Sequence, residues 1–260
     1  MFRKKDSIQI KTPDQLAVMR QAGLVVAHAL QAVQEAVTPG VTTAQLDEIA
    51  HQVIRDAGAT PSFLGYHGYP AAICSSINEE VVHGIPGPRK LLEGDIISID
   101  CGAIVDGWHG DAAVSVLVGA PAAEVAELSR ITEASLWAGL AQVRAGNRLS
   151  DIGHAIEECV RSQSDFGIVE EYVGHGIGTS MHMAPPIPNY GEAGRGPLLK
   201  VGMALAIEPM VTLGSPEVEV LVDGWTVVTS DRKWASHWEH TVAITEDGPW
   251  VLTALDDVRL

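Results

Sequence analysis

The sequence predicts an α+β fold in which two similar α/β halves pack face to face. Three observations support this prediction: a β-hairpin signal within residues 94–111, a helix pair in each half, and a repeat that relates the halves. Hydrophobic residues make up 46% of the 260-residue chain, which is enough for a sizeable core. Because no linker-like or low-complexity stretch interrupts the chain, we expect one domain over residues 1–260, with halves at about 12–118 and 119–255.

Each half is predicted to begin with two helices. The first helix starts with Thr12 and a proline, and its apolar residues keep helical spacing up to the Pro39-Gly40 break. Thr42 or Thr43 is expected to cap the second helix, which ends near residue 58. The corresponding helices of the second half are predicted at 124–143 and 149–161.

The stretch from residue 94 to residue 111 predicts two antiparallel strands joined by a tight turn. Asp106-Gly107 favours a two-residue turn, which pairs residues whose numbers sum to 213. Asp100 then lies opposite residue 113, and Asp111 lies one same-face step from that partner. Both carboxylates therefore leave the same face of the hairpin, where a cation between them would relieve their repulsion.

The two halves correspond to each other at a nearly constant offset. The second helix pair matches the first at an offset of 106 residues. At an offset of 108, His67 falls on His175 and Asp100 falls on Glu208. A strand that ends in a carboxylate therefore occurs once in each half, as expected if the halves enclose a site between them.

Acidic and imidazole side chains recur at the ends of the predicted strands. The last clear strand starts at Trp238 and places Glu239 on the face opposite to His240. The candidates are Asp100, Asp111, His175, Glu208 and Glu239, with His83 and His182 beside small residues. Four carboxylates and one imidazole suit divalent Mn, Fe, Co or Zn, and they differ from the thiolate sets of structural zinc.

Charge and composition narrow the classes of function. The chain has 33 acidic and 17 basic residues, a formal net charge of −16, which disfavours binding to DNA or to an anionic membrane. No uninterrupted apolar run approaches the ~18 residues of a membrane span, and we expect a cytoplasmic protein. Cys74, Cys101 and Cys159 are odd in number and are expected to be reduced.

Six segments together resemble the bacterial type I methionine aminopeptidases, a family with the pita-bread fold. They are SINEEVVHGIP (76–86), GDIISID (94–100), DGWHGD (106–111), GHGIG (174–178), AIEPM (206–210) and WEHT (238–241). The resemblance covers nearly the whole chain. It implies a central antiparallel sheet with helices on its outer face.

The resemblance also implies a dinuclear site with two divalent ions (Co, Mn, Fe or Zn). Its ligands would be Asp100, Asp111, His175, Glu208 and Glu239. Glu208 would in addition act as general base, His182 would donate to the developing oxyanion, and His83 would contact the scissile amide nitrogen. The methionine pocket would be formed by Phe63, Tyr66, Tyr69, Cys74, Met181 and Trp225, with Met181 in a position that is usually aromatic in the family.

The function implied is removal of the N-terminal methionine from nascent or newly released chains, after deformylation, when the second residue is small. Transient ribosome association stays open, because the basic cluster Arg3-Lys4-Lys5 is too small to decide it. Two alternatives are a proline-specific (Xaa-Pro) peptidase of the same fold and a non-enzymatic pita-bread binding protein. The five intact ligands favour an enzyme, and the chain lacks the large N-terminal domain typical of the proline-specific relatives.

Overall fold

The structure is a computed structural model that describes residues 7–260, so the Arg3-Lys4-Lys5 cluster lies outside the described residues. The helices are α1 (Pro13–Ala36), α2 (Thr43–Asp56), α3 (Ala123–Leu140) and α4 (Ser150–Arg161). The strands are β1 (Thr60–Pro61), β2 (Ile73–Ile77), β3 (Glu80–Val82), β4 (Ile96–Val105), β5 (Trp108–Leu117), β6 (Gly167–Ile168), β7 (Gly174–Gly176), β8 (Met183–Ile187), β9 (Ala204–Ile207), β10 (Met210–Thr212), β11 (Val218–Val220), β12 (Val227–Thr229), β13 (Ala235–His237), β14 (Glu239–Thr245) and β15 (Gly248–Val251).

The first two helices start at threonines that form reciprocal capping boxes. The backbone N–H of Gln15 donates to the Thr12 hydroxyl at 3.3 Å, and the Thr12 N–H donates to the Gln15 side chain at 2.9 Å. Thr42 and Gln45 repeat this arrangement at the start of α2. Thr42 is therefore the cap of α2, and each box satisfies backbone donors that the first helical turn leaves free.

One antiparallel sheet runs through both halves of the chain. Its strand order is β1-β4-β5-β14-β9-β7-β8, with β2 also paired to β4 and β15 also paired to β14. The β4–β5 hairpin has the predicted register, because Asp100 pairs with Ala113 and Gly102 pairs with Asp111. Asp106 and Gly107 both have positive φ, 47° and 79°, as a primed two-residue turn requires.

All four helices cover one face of this sheet. Side chains of α1 and α2 pack with Ile97 and Ile99 of β4, and side chains of α3 and α4 pack with Leu205 of β9 and Val242 of β14. Because side chains alternate along a strand, Asp100 lies on the opposite, inner face. The expected α+β architecture, a central antiparallel sheet with helices on its outer face, is confirmed.

Helix α1 is the member of this outer layer that lies closest to the sheet. A Cβ added to Gly110 of β5 would lie 2.7 Å from the backbone nitrogen of Gly23 in α1, so glycine at position 110 permits the close approach of the helix. Among the described helices, α1 alone is long and apolar enough to cross a membrane by length and composition, and 50% of its apolar window is buried inside the protein. The apolar character of α1 is accounted for by this packing.

The repeat does not extend to every residue that matched in the sequence. His67 lies in a short 3-10 turn over residues 66–68 with φ 48° and is exposed, whereas His175 is buried in β7. The equivalence predicted for these two histidines is therefore wrong at the level of local structure. The equivalence of Asp100 and Glu208 holds, since both lie on the inner face of the sheet, at β4 and directly after β9.

Candidate metal centre and substrate pocket

Five neighbouring strands of the sheet each supply one predicted metal ligand. They are Asp100 of β4, Asp111 of β5, Glu239 of β14, Glu208 directly after β9, and His175 of β7. Ala113 pairs with Asp100 on one side and with Glu239 on the other. The register of the sheet thus brings ligands from both halves of the chain to one place.

The ligand atoms are close enough to share metal ions. One ligand atom each from Asp111, His175 and Glu239 lie within 4.8 Å of one another. The Nε2 atom of His175 is 3.8 Å from Asp111 Oδ2 and 3.6 Å from Glu208 Oε1. A ring nitrogen that faces two carboxylates at these distances leaves room for a cation among the three side chains.

The carboxylates of this cluster are in an environment that disfavours their charge. Burial raises the pKa of Asp100 to about 7. Burial also raises the pKa of Asp111, Glu208 and Glu239 well above the usual carboxyl range, and the charges of neighbouring carboxylates add to the effect. Among the described residues, Asp100 Oδ1, Asp111 Oδ1 and Glu239 Oε1 are buried without a hydrogen-bond partner.

Bound divalent cations would neutralise the charge of the buried carboxylates and would coordinate the oxygens that have no hydrogen-bond partner. Burial, followed by the charge of His182, lowers the pKa of His175 to about 3, so its imidazole is neutral, the form that binds metals. The oxygen-rich donor set with one nitrogen therefore fits the two divalent ions expected from the sequence.

The two predicted catalytic histidines lie at the opening of this cluster. His83 follows β3 in a left-handed conformation with φ 62°, and its ring lies 5.6 Å from that of Tyr172. The ring of His182 lies 4.3 Å from that of His175, and its Nδ1 is 2.9 Å from the Tyr66 hydroxyl. Burial lowers the pKa of His83 to about 4 and also lowers that of His182, so both rings are neutral near pH 7.

A cavity of about 130 Å³ joins the metal ligands to an apolar wall. It is lined by Phe63, Tyr66, Tyr69, Cys74, His83, Asp100, Asp111, His175, His182, Glu208, Trp225 and Glu239. The Tyr69 hydroxyl donates to the carbonyls of Ile73 and Gly84 at 3.1 and 2.9 Å, which fixes its ring within the wall. The Trp225 ring meets the Tyr69 ring edge-on at 5.1 Å.

The turn between β11 and β12 fixes Trp225. Oδ1 of Asp223 accepts from the backbone N–H groups of Trp225 and Thr226 at 2.8 and 2.9 Å. The Thr226 hydroxyl donates to Oδ2 of Asp223 at 2.6 Å. Three hydrogen bonds to one exposed carboxylate therefore hold the loop that presents the tryptophan.

Met181 is the predicted pocket residue that the structure does not place in the cavity wall. Its side chain is 1% exposed and belongs to the same apolar cluster as Phe63 and Tyr69. A Cβ added to Gly102 would lie 2.8 Å from Met181 Cε and 3.0 Å from Phe63 Cε1. Met181 therefore packs one layer behind the wall, where a flexible side chain fills the space beside Phe63.

His237 and Tyr172 are close to the site, but the sequence patterns did not single them out. His237 is 1% exposed, and its Nε2 lies 3.7 Å from Glu208 Oε2 and 3.9 Å from Glu239 Oε2. The signal that could have found it is its position two residues before Glu239, since a strand continued through Trp238 would place both residues on the same face. Tyr172 carries no such signal, because its contact with His83 joins two loops.

The geometry agrees with comparisons to known proteins. The sequence pattern of metallopeptidase family M24 matches residues 17–246. The methionine aminopeptidase 1 of Mycobacterium tuberculosis is 56% identical over 258 residues, which cover 97% of each chain. The methionine aminopeptidase 1 of Bacillus subtilis is 51% identical over 243 residues, with 94% of this chain and 98% of that protein covered.

Solved structures give the same picture at two levels of similarity. The methionine aminopeptidase of Thermotoga maritima superposes with a TM-score of 0.93 at 44% identity and covers 95% of this chain and 100% of that chain. The prolidase of Pyrococcus furiosus reaches a TM-score of 0.76 at 22% identity over 95% of this chain and 66% of that chain, which shows a shared fold. The chain belongs to metallopeptidase family M24 and, within it, to the methionine aminopeptidases.

Proposed function

We propose that this protein is a metal-dependent aminopeptidase that removes the N-terminal methionine from newly made chains whose second residue is small. The observation that supports it best is the single cavity that joins a five-ligand metal cluster to a wall of Phe63, Tyr66, Tyr69, Cys74 and Trp225. Aromatic and sulfur surfaces suit the unbranched thioether of methionine. The ligand cluster at the other end of the cavity would lie beside the scissile bond.

The chemistry follows from the donor set of Asp100, Asp111, His175, Glu208 and Glu239. Two divalent ions, when bound, would activate a water as nucleophile, bind the free amine of the substrate and polarise the scissile carbonyl. An acylated or formylated N-terminus lacks that amine and should be rejected. The substrate would therefore be a deformylated chain, and cleavage would be confined to its first residue.

The protein side chains would then move protons and stabilise charge. Glu208, whose Oε1 faces the ligand cluster, would accept a proton from the nucleophilic water as general base. His182 would donate from Nε2–H to the oxygen that becomes negative, and His83 would contact the amide nitrogen that leaves. Both histidines line the cavity beside the ligands.

Selectivity for the second residue would come from the side of the cavity that carries His83 and His182. A large second side chain would push the carbonyl away from the metal cluster, and a displacement of about 1 Å can cost on the order of 10²-fold in rate. A library of Met-Xaa peptides tests the proposal through kcat/KM. Met-Ala, Met-Gly and Met-Ser should be cleaved far faster than Met-Leu, Met-Lys or Met-Phe, whereas a flat profile or a preference for Xaa-Pro peptides would contradict it.

Metal dependence is tested separately. Chelation should abolish peptidase activity and remove the bound metal, and added Co or Mn should restore activity. Thoroughly demetallated protein that stays fully active would show that the ligand cluster has another role.

The cellular setting belongs to the same proposal. A cytoplasmic location and transient association with ribosomes would bring the enzyme to its substrate, the N-termini of nascent or newly released chains. We also propose that residues 1–260 act as one catalytic domain, because Asp100 and Asp111 come from the half at 12–118 and His175, Glu208 and Glu239 from the half at 119–255. Separately expressed halves should accordingly fail to bind two ions.

A further inference from the structure

His237 is a buried histidine that contacts the metal cluster without being one of its five predicted ligands. It is the last residue of β13, and its Nε2 lies 3.7 Å from Glu208 Oε2 and 3.9 Å from Glu239 Oε2. Among the described residues this buried nitrogen has no hydrogen-bond partner. A polar atom left in this state is costly unless the working enzyme gives it a partner.

The carboxylate of Glu208 lies between two imidazoles, with one oxygen directed to each. Its Oε1 is 3.6 Å from Nε2 of His175, and its Oε2 is 3.7 Å from Nε2 of His237. His175 also faces Asp111 Oδ2 at 3.8 Å, so Oε1 of Glu208 lies on the side of the Asp111–His175–Glu239 group. Ligand atoms of Glu208, His237 and Glu239 form a second group within 4.8 Å of one another. The second oxygen, Oε2, faces Nε2 of His237, which can either donate a hydrogen bond to it or share a cation with it.

Several buried hydrogen bonds hold the backbone around His237, as a positioning group requires. The His237 N–H is 3.1 Å from the hydroxyl oxygens of both Ser98 and Ser115. The Ser115 hydroxyl lies 3.0 Å from the His237 carbonyl and 2.9 Å from the hydroxyl of Ser236. These buried serines tie β13 to β4 and β5, the strands that carry Asp100 and Asp111.

We propose that His237 is a positioning residue whose Nε2–H donates to Oε2 of Glu208 and holds this carboxylate with Oε1 directed to the metal cluster. This inference rests on the proposed role of Glu208 as ligand and base. Without a cation between them, a lone pair at Nε2 would face the oxygens of Glu208 and Glu239 and be repelled by them. Hydrogen bonds to ligating carboxylates are a common device for orienting them, and catalytic hydrogen bonds are often long before the complete site is assembled.

Two substitutions at His237 distinguish the effect of its hydrogen bond from the effect of its side-chain packing. His237→Gln keeps an N–H donor at a similar distance from the backbone, whereas His237→Leu keeps bulk without a donor. With the Co(II)-loaded enzyme, we expect His237→Leu to lower kcat about 10- to 100-fold, the usual effect of losing such a partner, and to shift the Co(II) absorption bands. His237→Gln should restore most of kcat and the wild-type bands.

His240→Gln is the matched control, because His240 is three residues further on and lies on the opposite face. Its Nδ1 bonds to the Thr253 hydroxyl at 2.8 Å, and its ring contacts Trp137 at 5.5 Å. The kcat and Co(II) spectrum of the folded control should match the wild type. If His237→Leu does not fold, ¹⁵N NMR of histidine-labelled, Zn-loaded wild type decides the question, since the proposal requires the Nε2–H tautomer at His237.

Three results would overturn the inference. His237→Leu could keep the wild-type kcat and Co(II) spectrum, which would mean that the contact with His237 does not position Glu208. Both His237 variants could lose one ion per chain and one nitrogen from the Co(II) coordination shell, which would make His237 a ligand. The NMR spectrum could show a proton on Nδ1 alone. A Glu208→Gln variant that retains both ions and the wild-type Co(II) spectrum would instead count against the proposed role of Glu208 itself.

Discussion

The hydroxyl of Tyr66 lies 2.9 Å from Nδ1 of His182, and this contact joins two residues that are 116 positions apart in the chain. Burial, with a smaller effect from the charge of Asp111, raises the pKa of Tyr66, so its phenol stays protonated and can donate. His182 is neutral near pH 7 because burial lowers its pKa. When Nδ1 accepts from the phenol, the one ring proton of His182 lies on Nε2, where it can serve the substrate.

Removing the Tyr66 hydroxyl should therefore weaken catalysis more than binding. We expect Tyr66→Phe to lower kcat about 2- to 10-fold, the range for one hydrogen bond, with KM little changed. Tyr69→Phe is the matched control, because the Tyr69 hydroxyl bonds to two backbone carbonyls and contacts no histidine. Steady-state kinetics on a Met-Ala-Ser peptide measures both variants, and an equal fall in kcat for the two would refute a specific role for Tyr66.

His182 itself should matter for the chemical step and hardly at all for metal binding. His182→Ala should lower kcat by roughly 10²-fold or more, the scale for loss of an oxyanion donor. The metal content, measured by elemental analysis, should stay that of the wild type. Loss of both ions in this variant would place His182 among the metal ligands.

Asp223 should affect substrate binding through Trp225, although it does not line the cavity. Asp223→Ala removes the acceptor for two backbone N–H groups and frees the loop that presents Trp225, so KM should rise severalfold at nearly constant kcat. Asp223→Asn keeps the Oδ1 acceptor and should stay near the wild type. If both variants raise KM equally, the charge of Asp223 matters and the turn does not.

The metal-free protein should lose stability as the pH rises through neutrality, because the pKa values of its buried carboxylates are raised in the folded state. The folded pKa of Asp100 is about 7, far above the value of an unfolded aspartate, so the folded state holds more protons and loses stability as the pH rises. Buried His175, His83 and His237 have folded pKa values of about 3 to 4, so they oppose this trend most strongly below about pH 6.5, and their effect fades above it as the unfolded imidazoles lose their protons. Above it the carboxylates dominate, until Lys11, with a pKa of about 8, begins to titrate.

Urea unfolding of the metal-free protein between pH 6.5 and 7.5 measures this effect. The free energy of unfolding should fall with pH across this window, and less steeply in Asp100→Asn. Saturating metal should remove the dependence, because bound cations keep the carboxylates ionised in the folded state. If the free energy of unfolding of the metal-free protein rises with pH in this window, the buried carboxylates are not protonated together in the folded state.

Local chemistry explains which parts of the structure could be predicted from the sequence. The turn at Asp106-Gly107 fixed the register of β4 and β5, so the shared face of Asp100 and Asp111 followed from counting. Thr12 marked the start of α1 because the proline that follows it favours the first position of a helix. The last strand was predicted to start at Trp238 and corresponds to β14, which starts at Glu239. His237 belongs to the separate strand β13, which was not predicted.

The parts that were not predictable depend on contacts between distant segments. No local pattern indicates that Tyr66 meets His182, or that Met181 packs behind Phe63 beside Gly102. His67 matched His175 in the sequence repeat, but the loop around His67 forms a 3-10 turn in place of a strand. Local sequence similarity therefore identified corresponding sheet positions in the two halves, but it did not predict the loops that shape the cavity.

The pairing of Ala113 with both Asp100 and Glu239 has a kinetic consequence. The hairpin of β4 and β5 can form early because its contacts are local, whereas β14 must close a loop of more than a hundred residues before it adds to β5. The ligand set is complete only after that late step, so a cation finds no full site in the folding transition state. Metal should therefore leave the folding rate nearly unchanged and slow unfolding, which makes the loaded enzyme long-lived.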